Sequence, residues 1–308
     1  MLLAMAEPRL TVAVVTYRTP DLALDCLRSV VAAAPAAPVR LVDTDPSAEF
    51  AARVAAAQPT VAYVPAENRS YSHAVNVGLA GAATEFVALM NADVQLGPAT
   101  FTDLIQALDR DDGAGAAGPL ALGSDGRPQD LGPWYARHYR ALRRRADAAR
   151  SSGAPDGGAA APASVDVPWL SGCLHVVRSA VWRQLGGYDE AFRFCNEDLD
   201  FGLRLGRAGL RSSLVDTRVV HLGGTSTPAH PAFAVEGRRG GLIIGRRHYP
   251  APLFAAQRAF VLLEGLAGGV LAGTPGARAA YRELRRLAAS GDLDRSPFGA
   301  TLDDRPPW

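Results

Sequence analysis

The sequence contains no lysine, and its 32 basic residues, all arginine, are balanced by 31 acidic residues to give a formal charge of +1. A charge this close to zero offers no overall electrostatic attraction to nucleic acid, so nucleic acid is not an expected partner. The only three cysteines, Cys26, Cys173 and Cys195, are widely spaced and form no CxxC pair. This excludes a disulfide framework and a zinc knuckle and is typical of a cytoplasmic protein.

The sequence also lacks an apolar run of the roughly 20 residues needed to cross a bilayer. The longest such segment, Ala259 to Ala272, contains Glu264, and residues 1–8 lack the basic region of a signal peptide, so no transmembrane helix or signal peptide is predicted. Three arginines lie close to three aromatic residues between positions 246 and 260, a mixture that suits a helix lying on the inner face of the membrane. The alternative, which we favour, is that this helix packs into the core.

A glycine-rich phosphate loop is absent as well. The turn after the first predicted strand, residues 16–21, contains no glycine. A dinucleotide-binding Rossmann domain needs glycines there so that the backbone can approach a pyrophosphate, and a P-loop needs Gly-Lys-Ser/Thr. Both classes are therefore excluded. A sugar-1-phosphate nucleotidylyltransferase, which would have an early glycine-rich triphosphate loop, is disfavoured for the same reason.

Apolar runs of strand length alternate with amphipathic runs of helix length through the first 122 residues. The predicted strands are 10–16, 39–43, 61–64, 85–90 and 115–122, and the predicted helices are 21–34, 47–57, 72–83 and 99–110. This alternation indicates βαβ units and an α/β fold, in which helices flank a doubly wound, mostly parallel central sheet. Further helices are predicted at 134–150, 180–185 and 197–208, and strands at 165–177 and 213–220.

Two segments outside this pattern concern domain organisation. Residues 151–163 are almost entirely Gly, Ala, Pro and Ser, which predicts a flexible loop, either a lid over the site or a plain linker. Beyond Pro228 the pattern is helical to about residue 290 and ends in a polar tail. We therefore predict a domain over 1–228 and a helical C-terminal extension over 229–308.

Polar side chains follow two predicted strands at their carboxyl ends, where ligands bind in open α/β sheets. Asn91, Ala92 and Asp93 follow a buried strand, and Asp43 ends another. Asp93 is placed to hold a metal ion, although Asn and Asp also favour turns. Asp43 is placed to accept hydrogen bonds from a base or ribose, and its alternative role is to share a helix N-cap with Ser47.

The segment Asn68 to Gly78 precedes a predicted helix for which Ser72 is a suitable N-cap. Free N–H groups and the positive end of the helix dipole favour an anion there, and Arg69 would add a charge-assisted contact to a diphosphate. His73 has no acidic partner nearby in the sequence and is interpreted as structural.

Glu197 and Asp198 open an amphipathic helix, and His221 ends the last predicted strand. Acidic residues in a first turn are favoured by the helix dipole whatever their function. Each feature alone is therefore weak evidence for a site. Their combination with the strand-end acids is more specific.

Taken together, these residues resemble family 2 glycosyltransferases of the GT-A fold, in particular the bacterial rhamnosyltransferase-like branch that builds cell-surface polysaccharides. The resemblance runs from about Thr11 to Thr227 and, more loosely, through residues 246–250. The matching positions are Thr16, Tyr17 and Asp43 in the nucleotide pocket, Asn68 to Gly78, the metal motif Asn91-Ala92-Asp93, the pair Glu197-Asp198, and His221.

The resemblance implies an inverting, metal-dependent transferase. Asp93, with His221, would coordinate Mg²⁺ or Mn²⁺ at the donor diphosphate. Asp198 would be the general base that deprotonates the acceptor hydroxyl, with Glu197 positioning hydroxyl groups. Trp169 and Gly172 would shape the sugar and acceptor site. The remaining residues expected to bind the donor are Thr16, Tyr17, Asp43, Asn68, Arg69, Asn76, Asn91 and Ala92.

The implied reaction moves a hexose or deoxyhexose, such as rhamnose, from a UDP-, dTDP- or GDP-sugar to a saccharide or lipid-linked acceptor. The alternative is a non-catalytic protein of the same fold that binds nucleotide sugars or acts as a scaffold. The chain departs from the family pattern at Asn91, where an aspartate is usual, and at Ser70, where a glycine is usual. Asn91 lowers the negative charge offered to the cation, and Ser70 limits backbone approach to the donor.

Overall fold

The structure is a computed structural model that describes residues 7–151, 162–223 and 229–308. Most of the predicted loop at 151–163 lies outside these residues, as do the first six residues and the domain boundary placed at 228. The chain divides into two compact units. The sheet unit comprises Met1–Ala66, Ala74–Gly187 and Phe201–Ser226, and the helical unit comprises Glu67–His73, Tyr188–Asp200 and Thr227–Trp308.

The first half of the sheet is parallel, in the order β3-β2-β1-β4. Its strands are β1 (Leu10–Thr16), β2 (Val39–Asp43), β3 (Val61–Pro65) and β4 (Phe86–Asn91). The connecting helices are α1 (Pro20–Ala33), α2 (Ala48–Ala57) and α3 (Tyr71–Leu79). Because a parallel pair needs a crossover connection, the predicted βαβ alternation produces this half directly.

The second half of the sheet is mixed. Strand β8 (Leu174–Arg178) runs antiparallel to β4 and to β6 (Ala114–Leu122), and β6 runs parallel to β9 (Arg211–His221). The short strands β5 (Val94–Gln95) and β7 (Ser164–Val167) run antiparallel to β9. The remaining helices of this part of the chain are α4 (Thr100–Asp109), α5 (Pro133–Ser151), α6 (Ser179–Leu185) and α7 (Glu197–Arg207).

Two boundaries differ from prediction. The single strand predicted over 165–177 is two strands, β7 and β8, separated by a loop that begins at Pro168, which cannot donate a ladder hydrogen bond. Helix α3 ends at Leu79 rather than Ala83, ahead of Gly81, which has a φ of +66°. Strand β5 was not predicted, because two residues are too few to show a periodic pattern.

The core of the sheet unit is built on the central strands. Val12, Val14, Ala88 and Met90 are each fully buried. Burial on both faces of a helix-covered parallel sheet requires continuous apolar runs rather than alternation, as both strand sequences have. The strand ends are thereby held rigidly, with their polar residues at one edge.

The helical unit is built from α8 (Pro231–His248), α9 (Ala251–Leu271) and α10 (Pro275–Ser290). Gly265 and Gly268 of α9 lie so close to Arg285 and Tyr281 of α10 that an added Cβ would approach them within 3 Å. The tail beyond α10 also packs: Phe298 and Leu302 form a buried apolar cluster with Ala232 and Phe233. The polar tail is therefore part of the fold of this unit.

Helix α9 contradicts one interpretation of the sequence. It has 21 residues, and among the described residues it is the one helix that is long and apolar enough to cross a membrane, with 11% of its most apolar stretch buried. The core-packed interpretation that we favoured is therefore wrong, because Val261 and Gly265 are its only buried residues. Glu264 interrupts the apolar run in the sequence, but it lies on the covered side, where Arg238 pairs with it at 2.9 Å.

Candidate active site

The carboxyl ends of three neighbouring parallel strands bring predicted site residues together in the sheet unit. Thr16 at the end of β1 lies opposite Asp43 at the end of β2. On the other side of β1, Val15 lies opposite Asn91 at the end of β4. The predicted edge of the sheet is thus formed, with a hydroxyl, a carboxylate and an amide side by side.

Asp93, Asn91 and His221 form a compact group at this edge. The pairing of β5 with β9 sets Val94 opposite His221, which brings the His221 Nε2 atom to 3.3 Å from the Asp93 Oδ1 atom. The Asn91 Nδ2 atom lies 3.4 Å from the same imidazole nitrogen. The backbone N–H of Gly223 donates to the other carboxylate oxygen, Asp93 Oδ2, at 3.1 Å. The side chains of Asp93 and His221 are only 10% and 13% exposed.

Gln129 fixes the orientation of the His221 ring. The His221 Nδ1–H donates to Gln129 Oε1 at 2.9 Å, and Gln129 Nε2 donates to the His221 carbonyl oxygen at 3.2 Å. A neutral imidazole held in this way has its Nε2 lone pair directed toward the Asp93 carboxylate. Two electron-rich atoms facing each other in this way fit a divalent cation, with Gln129 as the outer partner that orients a histidine ligand.

The donor set suits a hard or borderline cation. One carboxylate and one imidazole would leave further positions for phosphate oxygens or water, as is usual for Mg²⁺ and Mn²⁺. The Asn91 amide presents its Nδ2 to the imidazole and would offer its oxygen to a cation after the amide rotates. Within the described ranges, no group of three His, Cys, Asp or Glu side chains is arranged to hold a metal. The site therefore depends on Asn91 or on a ligand to complete the coordination.

Asp43 accepts two hydrogen bonds from neighbouring groups of the sheet unit. Its Oδ2 accepts the hydroxyl proton of Tyr63 at 2.5 Å, and its Oδ1 accepts the N–H of Asp45 at 3.0 Å. Burial, aided by this hydrogen bond to Asp43, raises the pKa of Tyr63 to about 12. Ser47 caps α2 without it, accepting the N–H of Phe50, so the shared N-cap interpretation is wrong. Asp43 is a buried, rigidly held acceptor beside Thr16.

The turn after β1 places an aromatic ring and a guanidinium next to this edge. The Arg18 guanidinium lies 4.8 Å from the centroid of the Tyr17 ring, and its Nε donates to Asp45 at 2.9 Å. Arg18 has a φ of 55°, a left-handed conformation that is uncommon for a residue other than glycine. Such local strain is frequent at ligand sites.

Two further groups of predicted residues lie elsewhere in the sheet unit. Asn76 lines a separate cavity of about 310 Å³ with Trp182, and its Oδ1 closely approaches Gly187. Trp169 stacks edge-on against Tyr135 at 5.2 Å between ring centroids, in the loop before β8 that also contains Gly172. The donor and acceptor roles of these residues stay predictions.

His175 forms a hydrogen bond that holds the loop containing Trp169. Its Nε2–H donates to the Leu170 carbonyl oxygen at 3.1 Å, and complete burial lowers its pKa to about 4. The imidazole is therefore neutral at physiological pH and fixes the loop as a hydrogen-bond donor.

In the helical unit, Glu197 and Asp198 begin α7 directly after two strained residues. Cys195 and Asn196 have φ values of 60° and 73°, and Asn196 Nδ2 donates to the Gly237 carbonyl oxygen at 3.1 Å. An added Cβ at Gly240 would lie 2.7 Å from Asn196 Nδ2, so a larger residue there would displace the Asn196 amide. Two successive left-handed residues cost roughly 1–3 kcal/mol each and persist only where the surroundings fix them.

Glu197 and Asp198 differ sharply in environment. The Glu197 side chain is buried, and its Oε2 has no hydrogen-bond partner among the described residues. Burial, and to a lesser extent the charge of Asp198, raises the pKa of Glu197 well above its usual value. Asp198 is half-buried and accepts the N–H of Leu199 at 2.7 Å. The pair thus combines a buried carboxyl that tends to hold its proton with a more accessible carboxylate.

The segment 67–73 corrects one prediction. Ser70, not Ser72, caps α3 by accepting the N–H of His73 at 2.9 Å, while Ser72 lies inside the helix and donates to the Phe192 carbonyl oxygen. His73 has an acidic partner that is distant in the sequence, since its Nδ1 lies 3.0 Å from Glu190 Oε2. The interpretation of His73 as structural stays a prediction.

The two predicted donor ligands of this segment contact protein groups of the helical unit. Asn68 Nδ2 donates to Asp303 at 2.9 Å, and Arg69 lies 3.9 Å from Glu190 with half of its side chain exposed. Their proposed contact with a donor stays a prediction.

Sequence reasoning missed Gln129 and Tyr63, and it missed the partner of the buried Asp200, which accepts the His248 Nε2–H at 3.0 Å. Asp200 lies on the same helix as Glu197, and His248 lies in the segment 246–250 that carries the looser resemblance. The position of both residues within matched segments is the sequence signal that could have indicated the Asp200–His248 pair.

Comparison with known families decides the classification. The family described as glycosyltransferase like family 2 matches residues 8–239. The chain belongs to this family. The match covers most of the chain and confirms the family identified from the strand-end and helix-start motifs.

The relatives of this family 2 chain include rhamnosyltransferases. Proteins of two Mycobacterium tuberculosis strains, described as N-acetylglucosaminyl-diphospho-decaprenol L-rhamnosyltransferase, are 33% identical over 165 residues, 48% of this chain and 50% of theirs. O-antigen biosynthesis protein RfbC of Myxococcus xanthus is 42% identical over 57 residues, 17% of this chain and 4% of that protein. The match to the mycobacterial relatives thus spans about half of their length. The predicted resemblance to rhamnosyltransferases is confirmed.

Solved structures confirm the predicted α/β fold of GT-A type. The mannosyltransferase PcManGT from Pyrobaculum calidifontis, in complex with GDP-Man and Mn²⁺, has a TM-score of 0.55 at 19% identity, over 94% of this chain and 86% of that one. GalNAc-T7 with UDP, GalNAc and Mn²⁺ has a TM-score of 0.55 at 14% identity, over 79% and 49%. At these identities the family 2 chain shares their fold.

Proposed function

We propose that this family 2 protein is an inverting, metal-dependent glycosyltransferase. It transfers a hexose or deoxyhexose, with rhamnose the leading candidate, from a nucleotide diphosphate sugar to a saccharide or lipid-linked acceptor in cell-surface polysaccharide synthesis. The observation that carries the proposal is the group formed by Asp93, His221 and Asn91 at the carboxyl edge of the parallel strands. Both solved relatives named above hold Mn²⁺ and a nucleotide or nucleotide sugar.

Asp93 and His221 would hold the cation, and Asn91 would offer a neutral amide oxygen after its amide rotates, since its Nδ2 faces His221. When bound, a divalent cation acts as a Lewis acid that stabilises the departing nucleotide diphosphate. Because Asn91 carries no charge, the group offers one carboxylate where the usual family motif offers two. Gln129 keeps the imidazole oriented, and the Gly223 N–H holds the second oxygen of Asp93.

The donor nucleotide would bind along the same edge. Asp43 is a buried acceptor for the base or ribose, and Tyr17 with Thr16 completes that wall. Asn68, Arg69, Asn76 and Ala92 retain their proposed donor roles. UDP-, dTDP- and GDP-linked sugars all fit this description, since each has a base, a ribose or deoxyribose and a diphosphate.

Asp198 would accept the proton of the acceptor hydroxyl as its oxygen attacks the anomeric carbon. The sugar–phosphate bond breaks on the opposite face, which inverts the configuration. Base assistance of this kind contributes typically about 10²- to 10⁴-fold. Glu197, which tends to keep its proton, is suited to hydrogen-bond a sugar or acceptor oxygen, and Trp169 with Gly172 would shape the sugar site.

A lipid-linked acceptor implies contact with a membrane surface, and we assign that contact to α9. Its exposed side is apolar, with exposures of 63% at Phe260, 64% at Leu263 and 86% at Val270. A patch of this kind is unusual on a soluble monomer, and it suits insertion into the headgroup region of the cytoplasmic leaflet. In this proposal 1–228 forms the catalytic domain and 229–308 the membrane-facing extension.

Vesicle sedimentation tests the membrane contact. The wild-type protein should sediment with liposomes, and Phe260→Ser with Leu263→Ser should reduce the bound fraction about tenfold or more, because exposed apolar area is removed while α9 keeps its buried side. Ala255→Ser with Ala256→Ser, on the same exposed helix, is the matched control. Equal sedimentation of all three proteins would contradict the assignment.

Hydrolysis or transfer of nucleotide sugars tests the activity. A panel of UDP-, dTDP- and GDP-sugars is screened with Mn²⁺ by thermal shift, since a ligand at a hundred times its dissociation constant adds roughly 2.7 kcal/mol of stability. With the stabilising donor, wild type should turn over and Asp198→Asn should lose about 10²- to 10⁴-fold in rate while still binding it. Donor binding without turnover by either protein would favour the alternative, a non-catalytic nucleotide-sugar-binding or scaffold protein.

A further inference from the structure

The helical unit contains a large cavity that the proposed transfer chemistry does not use. It has a volume of about 700 Å³ and lies between the end of α8 and tail residues 293–306. Its lining contains three acidic residues, Glu190, Asp294 and Asp304. Against these stand six arginines, at positions Arg193, Arg239, Arg246, Arg247, Arg295 and Arg305. A concave surface with this excess of positive charge attracts anions.

Two of the arginines build the wall of this arginine-lined cavity. Arg239 is buried, forms a two-pronged ion pair with Glu236 and donates to the Leu293 carbonyl oxygen at 2.5 Å. Arg193 donates to the carbonyl oxygens of Gly299 and Ala300 at 2.6 and 2.9 Å. These bonds attach the tail to the unit, so the cavity is held open by groups that are already satisfied.

Three other arginines have unused hydrogen-bonding capacity. Arg295 and Arg305 have no carboxylate within ion-pair distance in the described part of the chain, and the buried Nε of Arg305 has no hydrogen-bond partner there. Among the described carboxylates, Arg246 contacts Asp294 alone, at a long distance of 3.4 Å, and the Asp294 side chain is 90% exposed. Such an exposed pair contributes little and is easily exchanged for a better acceptor.

These observations identify the chemical class of the ligand. A guanidinium presents a planar fork of donors that matches phosphate oxygens, and several separate forks suit a ligand with more than one phosphate. We propose that the arginine-lined cavity binds a diphosphate group through Arg246, Arg295 and Arg305. The site is distinct from the Asp93 group, which lies in the sheet unit and holds its anion through a cation.

The diphosphate has two candidate sources, and only the choice between them rests on the proposed function. One is a lipid-linked acceptor, since the mycobacterial relatives are described as acting on N-acetylglucosaminyl-diphospho-decaprenol. The apolar face of α9 belongs to the same unit as the cavity, which favours this source. The other source is the nucleotide donor.

Calorimetry on the full chain tests the site with inorganic pyrophosphate in EDTA, so that no cation supports binding at Asp93. Wild type should bind, and Arg246→Gln with Arg295→Gln should weaken the affinity by about tenfold or more, since two charge-assisted contacts are lost. Arg278→Gln with Arg282→Gln, two exposed α10 positions outside the cavity lining, is the matched control and should bind as wild type does. Arg305→Gln tests the same site should the double variant fail to fold.

Farnesyl diphosphate in EDTA and UDP with Mn²⁺ then separate the sources. Weaker binding of farnesyl diphosphate alone by the cavity variant supports the lipid-linked acceptor, and weaker binding of UDP alone supports the donor. Unchanged pyrophosphate affinity in the cavity variant, or its loss in Asp93→Ala, would overturn the proposal. A protein that binds pyrophosphate in this way but transfers no sugar would contradict the proposed function and leave the cavity assignment intact.

Discussion

Asp93 in the sheet unit and Glu197 in the helical unit are both carboxylates removed from solvent, yet their surroundings are opposite. Asp93 faces an imidazole at 3.3 Å and accepts a backbone N–H at 3.1 Å. Glu197 is buried with one oxygen unpartnered in the described structure and with the like charge of Asp198 nearby. Burial of a charge is costly unless a partner compensates it. The first arrangement is suited to hold a cation, and the second to keep a proton.

Removal of the Asp93 carboxylate should give the largest effect among the tests of this contrast. Asp93→Ala should reduce the Mn²⁺-dependent affinity for a nucleoside diphosphate by about 100-fold or more, because the only acidic ligand of the group is lost. Isothermal calorimetry with and without EDTA measures the effect. Asp112→Ala, a fully exposed acid on the same unit, is the control. Equal affinities with and without EDTA in wild type would show that Asp93 holds no cation.

Removal of the partner that orients His221 should have a smaller effect on the same binding. Gln129→Leu leaves the imidazole in place but frees its Nδ1, and loss of such an outer partner typically weakens metal affinity about 10- to 100-fold. Mn²⁺ titration followed by calorimetry checks it, with Gln106→Leu on α4 as control. A Gln129→Leu protein that binds Mn²⁺ as tightly as wild type would mean that His221 is not a ligand.

The raised pKa of Glu197 predicts how the free energy of unfolding depends on pH. A carboxyl whose pKa is raised on folding contributes stability below its ordinary value of 4.5, and this contribution is lost as the pH rises through the raised value. Glu197→Gln should therefore raise the free energy of unfolding by about 2 kcal/mol at pH 8 and by much less at pH 5. Urea unfolding at both pH values measures it. An equal increase in the free energy of unfolding at pH 5 and pH 8 would show that ionisation of Glu197 does not destabilise the fold.

Because the pKa of His175 is lowered, it makes the stability of the protein fall as the pH decreases, opposite to the effect of Glu197. Its pKa falls from an ordinary 6.5 to about 4 on burial, so stability is complete above pH 6.5 and is lost as the pH falls toward 4. At pH 5 this amounts to about 2 kcal/mol relative to pH 7.5. His175→Gln, which can still donate to Leu170, should abolish that part of the pH dependence in urea unfolding. An unchanged profile would place the titration elsewhere.

Much of the fold and part of the site were predictable because they depend on local patterns. The apolar runs of β1 and β4 and their polar ends at Thr16 and Asn91 appear in the sequence within one or two residues of their observed bounds. The parallel pairing that aligns these ends follows from the intervening helices. Local pattern failed for α9, because Arg258 precedes the apolar run and Glu264 interrupts it in the sequence, while the fold places the Glu264 carboxylate on the covered side with Arg238.

The sequence by itself determined the family, the alternation of strands and helices, and the acids at strand and helix ends, since hydrophobic period and residue type are properties of neighbouring positions. Only the tertiary structure decided which partners those acids have. Gln129 orients His221 across 92 positions, and Asn196 fits against Gly240 through a close contact that no spacing rule reveals. The physical reason is that hydrogen bonds and burial act through space, so the environments that distinguish Asp93 from Glu197 exist only once distant segments have packed.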